Sequence, residues 1–192
     1  MRTVGVQKKR QKMPLRTFRV DKDVLDKVSM IADSERNSVN AIVNRILRDH
    51  VLYADPAKNE YDGVTINGKI LKKMIELIPS EQLDASAGEM GAELFQEVNF
   101  LGVWVKNAES FCNLLSDGFC RYSNWASYNE MRSGNKLKIT LSHNRGLKWS
   151  RFLQNFLNWQ LSRLEDVKIA DIDFLCADSC LIISFPYVKS NE

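Results

Sequence analysis

Apolar and polar positions change their period along the chain. Over "LRTFRV" they alternate, placing Phe18 and Val20 on one side and Leu15, Thr17 and Arg19 on the other, which predicts a half-buried strand over 15–20. The period then lengthens to that of a helix. Asp21 stands at an N-cap position ahead of Val24, Leu25, Val28, Ile31 and Ala32, and the pattern stops near "SERN". Ser38 is placed to cap a second helix burying Val39, Ile42, Val43, Ile46, Leu47 and Val51. The polar stretch "DPAKNEYDG" then reads as a linker.

Beyond it the chain mixes both periods. "GKILKKMIELI" predicts a short helix stopped by Pro79, and Ser80 is expected to cap a longer one with Leu83, Ala87, Met90, Leu94, Phe95 and Val98 on one face. Gly88 and Gly91 on that helix permit close approach of a neighbour. A further amphipathic helix is expected over 107–122, with Phe111, Leu114, Leu115 and Phe119 inward. Strands follow over 124–131 and 136–142, joined by "RSGN"; the second alternates with Leu137, Ile139 and Leu141 inward. A strong helix is predicted over 146–164, its stripe built from Trp149, Phe152, Leu153, Phe156, Leu157, Leu161 and Leu164, with Trp159 off it. "DVKIADIDFL" and "CLIISF" close the chain as a hairpin around "ADS". The fold class is therefore α+β. It divides into an arm over 1–13, a strand–helix–helix module over 14–54, a linker over 55–67 and an α+β body over 68–192.

Charge changes this picture at one end only. The 192 residues are 44% hydrophobic with a net charge of +3, ordinary values for a folded protein. Residues 1–50 hold 12 Lys/Arg against 6 Asp/Glu, whereas 51–192 hold 15 against 18. The first 19 residues contain seven basic side chains and no acid, Lys8, Lys9, Arg10 and Lys12 forming the densest run. A basic head on a mildly acidic body points to a polyanion partner.

Other functional classes find little support. No apolar run approaches the roughly 18 residues of a membrane span, and the basic N-terminus lacks the apolar stretch of a signal peptide. Four cysteines in 192 residues do not suggest a disulfide scaffold, so a reducing, cytoplasmic setting is expected. There is no P-loop, dinucleotide glycine pattern, HExxH or nucleophile elbow. With only His50 and His143 available, a metal hydrolase is not expected, and the chain is read as a non-enzyme that requires no cofactor. Cys176 and Cys180 flank a three-residue turn. They are open to three readings: a redox disulfide, a metal site with Cys120 or His143, or small hydrophobes in strands.

A lone strand leaves both edges unpaired, and two short helices cannot enclose a core. Two copies of 15–20 pairing antiparallel over four helices would solve both problems. With "RTFRV", "DVLDKV" and "NSVNAIVNRIL" in this order, and 13 residues from Leu25 to Ser38, the segment resembles the ribbon-helix-helix family of prokaryotic DNA-binding regulators, the Arc, MetJ and CopG type. That resemblance implies a homodimer or higher homo-oligomer whose ribbon enters the major groove of double-stranded DNA. It assigns base reading to Leu15, Thr17 and Arg19, and phosphate binding to Arg16, Ser38, Val39 and Asn40. Arg16 departs from the pattern, standing where the family usually carries an inward apolar residue. The helix–hairpin–helix–hairpin order of the body, with His143 before a long helix and Cys176 and Cys180 at the last hairpin, is similar to V4R-type ligand-binding domains. It implies a small-molecule or zinc effector, although the cysteine spacing is shorter than in that family and no acidic partner stands at a matching place. A body that only fixes the assembly, an antitoxin-like partner of a toxin, and a metal- or redox-responsive switch at Cys176 and Cys180 remain the alternatives.

Overall fold

In the computed structural model of the chain, the described residues are 16–55, 64–100 and 105–186, the side chains of 97–100 excepted. The chain divides into two compact units, Met1–Arg48 and Asp49–Glu192, and its helices and antiparallel sheet make it α+β, as expected.

In the first unit, α1 (Lys22–Ser34) and α2 (Val39–Asp49) fall where the apolar period placed them. Asp21 occupies the N-cap with extended backbone, but its side chain makes no capping bond. The turn between the helices is a left-handed cap. Arg36 adopts φ 51°, its N–H donates to the Asp33 carbonyl at 3.2 Å, and the Asn37 N–H donates to the Ala32 carbonyl at 2.9 Å. The Glu35 carboxylate accepts both guanidinium nitrogens of Arg45, at 2.6 and 2.8 Å, tying the end of α1 to α2.

Burial in this unit departs from the helical pattern. Among the described residues only Val28, Ala32 and Ile42 are buried, with Val39 and Val43 packed against them. Val24, Leu25, Ile31, Ile46 and Leu47 stay 40–47% exposed, and Val51, in the second unit, is also exposed. Two helices share a single mutual face, so among the described residues of this unit the remaining apolar positions find no further layer to pack on. The expected strand is also missing. Residues 16–20 are irregular and exposed, Phe18 at 70% and Val20 at 51%, and Leu15 lies outside the described residues. A strand needs a partner edge for its backbone groups, and no described segment pairs with 16–20.

The second unit holds one continuous core. A π-helical turn, His50–Ala54, opens it; 56–63, most of the expected linker, lies outside the described residues. Then come α3 (Gly68–Leu77), α4 (Ser80–Phe100) and α5 (Ala108–Asn113), the last running on as a π-helical segment, Leu114–Tyr122. Strands β1 (Ser127–Ser133) and β2 (Lys136–Ser142), helix α6 (Leu147–Leu161), and strands β3 (Asp173–Cys176) and β4 (Cys180–Pro186) complete it. The sheet is antiparallel in the order β1-β2-β4-β3. Leu137, Ile139 and Leu141 face inward as predicted, and Leu181, Ile183 and Phe185 continue the same buried surface on β4. Helix α6 packs on β3 and β4 and also against α4. Gly91 sets that second approach: a Cβ there would lie 2.5 Å from the Phe156 carbonyl oxygen, whereas one at Gly88 would meet nothing within 4 Å.

Several boundaries differ from expectation for local reasons. The Pro79 carbonyl accepts the Leu83 N–H, so Ser80 is the first helical residue rather than the cap. On α4, Leu83 and Ala87 are buried but Met90 is 50% exposed, and the side chain of Val98 lies outside the described residues. β1 starts at Ser127, not 124. The N–H groups of Asn124 and Trp125 are taken by the Cys120 and Phe119 carbonyls, and Asn124 adopts φ 53°. β3 is short because the residues before it serve α5. Asp166 accepts the Ala108 N–H at 2.9 Å and the Glu165 N–H donates to the Lys106 carbonyl. Helix α6 ends at Leu161, yet Leu164 stays buried.

Candidate nucleic-acid interface

The first unit places Arg16, Thr17 and Arg19 on an exposed, irregular segment leading directly into α1. Their side chains are free to meet a ligand, although the parity that would aim Thr17 and Arg19 to one side exists only once the segment is held as a strand. Leu15 and the arm residues Lys8, Lys9, Arg10 and Lys12 lie outside the described residues.

The start of α2 is built as anticipated. Ser38 Oγ accepts the Ala41 N–H at 3.2 Å, and the Ser38 N–H donates to Asn37 Oδ1 at 2.9 Å. The first backbone bond of the helix runs from Ile42 N–H to the Ser38 carbonyl, leaving the N–H groups of Val39 and Asn40 ahead of the hydrogen-bonded turns. No acidic residue stands in this first turn, so the positive end of the helix dipole is uncompensated there and suits an anion. Sequence reasoning missed Arg36, whose exposed side chain stands two residues before the Ser38 cap. Its left-handed backbone is a conformation usually left to Gly or Asn. The Arg45 hydrogen bonds hold the Glu35 carboxyl below its usual range.

The body scatters the residues considered for metal or redox chemistry. Among the described residues no group of three or more His, Cys, Asp and Glu side chains converges, and all four cysteines are free thiols. Cys176 pairs with Leu181 across the hairpin, which puts it on the sheet face opposite to that of Cys180. Cys176 Sγ donates to Gln154 Oε1 at 3.0 Å. Cys120 is buried and its thiol is pushed up to about 11 by desolvation, so it stays protonated near neutral pH.

His143 is held as a structural fastener. Its Nδ1 accepts the Arg145 N–H at 3.3 Å, which leaves the proton on Nε2 to be donated to Ser150 Oγ at 2.9 Å. The fully buried Ser150 hydroxyl in turn donates to the Ala177 carbonyl at 2.5 Å. This chain ties α6 to the β3–β4 turn and leaves Ser150 no proton to give up in nucleophilic chemistry. Burial, and then the nearby Arg145 charge, lower His143 to about 4, so the ring is neutral.

One open cleft, of about 390 Å³, lies along the π-helical segment, lined by Ser116, Asp117, Cys120, Arg121, Asn124 and Tyr128 among others. Arg121 is paired with Asp117 and Asp49, so a ligand there would have to compete with two carboxylates for it. Trp159, off the main stripe, packs edge-on against Phe95 and carries Arg163 over its ring.

No protein-family model, no curated protein and no solved structure matches the chain. Among the described residues no helix is long and apolar enough to cross a membrane.

Proposed function

We propose that the chain is a dimeric, sequence-specific double-stranded DNA-binding regulator of the ribbon-helix-helix type, with an α+β body that fixes the assembly or answers an effector. One observation carries this reading: the first unit is unfinished alone. Among the described residues it buries three apolar side chains and exposes a larger set on the same two helices, directly after an irregular, exposed segment that pairs with no described strand. A second copy supplies what is missing. Antiparallel pairing of two 15–20 segments satisfies their backbones and turns Phe18 and Val20 onto the helices, each worth about 1.5–3 kcal/mol when fully buried. Thr17 and Arg19 then share the outer face at the width of a major groove, where a bidentate arginine–guanine contact discriminates by about 1–3 kcal/mol. Ser38, Val39 and Asn40 meet the flanking phosphate, and the basic arm adds salt-sensitive attraction. Base reading by Leu15 and phosphate contact by Arg16 complete the surface.

Selection of bound sequences from a random duplex pool, using the full chain, tests this reading. The expected result is a motif repeated as two half-sites. Recovery of no motif at any ionic strength, or a chain that stays monomeric on duplex DNA, overturns it.

A further inference from the structure

Helix α3 is apolar on two sides. Leu71 and Ile75 turn toward the core, whereas Ile70, Met74 and Leu77, spaced four and three apart, remain 54%, 50% and 84% exposed, and Ile66, just before the helix, is 42% exposed. Such a helix belongs between two packed layers, and among the described residues only one layer is present. Contiguous exposed apolar surface of this kind marks an interaction site.

Charge identifies the occupant. The exposed stripe of α3 is flanked by Lys69 and Lys73. The next helix, α4, carries Glu81, Asp84, Glu89, Glu93 and Glu97 with no Lys or Arg. Asp84 is engaged by Arg151. Glu89 and Glu93 are exposed along one side of Met90, itself 50% exposed. Among the described residues neither lysine and neither glutamate forms an ion pair. Both doublets are spaced i, i+4, about 6 Å along a helix, so the two ladders match in length as well as in sign.

We propose that α3 and α4 form a contact between two copies of this chain, α3 of each lying on α4 of the other. A two-fold axis makes the arrangement reciprocal and closed. Ile70 and Met74 meet Met90 at the centre, and Lys69 and Lys73 rim it against Glu89 and Glu93, an apolar middle inside a charged border. Packing α3 on α3 instead would set lysines beside lysines. This contact gives the body the assembly role suggested above, but it stands whether or not residues 15–20 form a ribbon.

The test mixes full-length chains of natural and ¹⁵N isotopic composition, cross-links them with a zero-length carbodiimide, and reads the joined peptides by mass spectrometry. The expected products are mixed-isotope pairs joining Lys69 or Lys73 to Glu89 or Glu93. Their positions distinguish this contact from any dimer made through the first unit. In sedimentation velocity, Lys69→Glu with Lys73→Glu should weaken self-association at least tenfold, and adding Glu89→Lys with Glu93→Lys to the same chain should restore it. Cross-links confined to one isotope, an unchanged mass in the lysine variant, or failure of the double swap to restore association overturns the proposal. So does binding to phosphatidylserine vesicles that the lysine variant abolishes while its sedimentation stays unchanged; that outcome assigns the stripe to a lipid surface.

Discussion

Protonating His143 should loosen the second unit within a pH window that its hydrogen bonds define. The ring accepts the Arg145 N–H at Nδ1 and donates from Nε2 to Ser150, so a second proton has no acceptor and arrives beside a guanidinium. Its folded value, about 4, lies below the ordinary 6.5 expected of the unfolded chain. As pH falls through 6.5 the unfolded chain takes up the proton first, and stability drops until about pH 4, below which both states are charged. One pH unit inside that interval costs about 1.4 kcal/mol. Solvent screening of a partly exposed ring reduces this, so going from pH 7 to pH 5 should remove about 1 kcal/mol. Urea unfolding at the two pH values reads this as a fall in midpoint of about 0.5 M, for a denaturant slope near 2 kcal/mol per M. His143→Gln keeps an amide near Ser150 but cannot titrate, so it should lose most of this pH dependence. Equal loss of stability in the two proteins between pH 7 and 5 would refute the fastener role.

The two glycines of α4 should respond with opposite signs. Gly88→Ala gains about 0.5–1 kcal/mol from reduced backbone entropy in open space, whereas Gly91→Ala, with its Cβ 2.5 Å from the Phe156 oxygen, loses about 1–3 kcal/mol; melting temperatures that move together would contradict the close α4–α6 approach. Gln160 is 1% exposed and among the described residues neither polar atom of its amide has a hydrogen-bond partner, so Gln160→Met should stabilise by about 1–3 kcal/mol, and a loss on chemical denaturation would mean that the amide is satisfied. For DNA, Arg19→Ala should cut specific affinity by about 10- to 100-fold with a much smaller effect on non-specific binding. Removing residues 1–12 should weaken both and flatten the salt dependence. Titrations at several salt concentrations separate the two, and equal losses from both changes would deny Arg19 a reading role.

Local pattern was enough for much of this protein. The stripe from Trp149 to Leu161, the inward side of β2, the Ser38 cap and the stop at Pro79 could all be read from spacing, because each depends on residues within one or two turns of one another. Spacing did not show that β1 would wait until Ser127, since backbone bonds back to Phe119 and Cys120 decide that. Nor did it show that Asp166 would leave the sheet to cap α5, or that His143 would close on Ser150, pairings that link residues up to 58 positions apart. Cys176 and Cys180 looked like partners in the sequence and are parted by the two-residue alternation of the hairpin. The apolar helix faces of the first unit and the outer stripe of α3 were likewise legible as apolar, but whether they were buried was not. Burial is a property of the surroundings that tertiary contacts bring, and for these faces the described residues bring few.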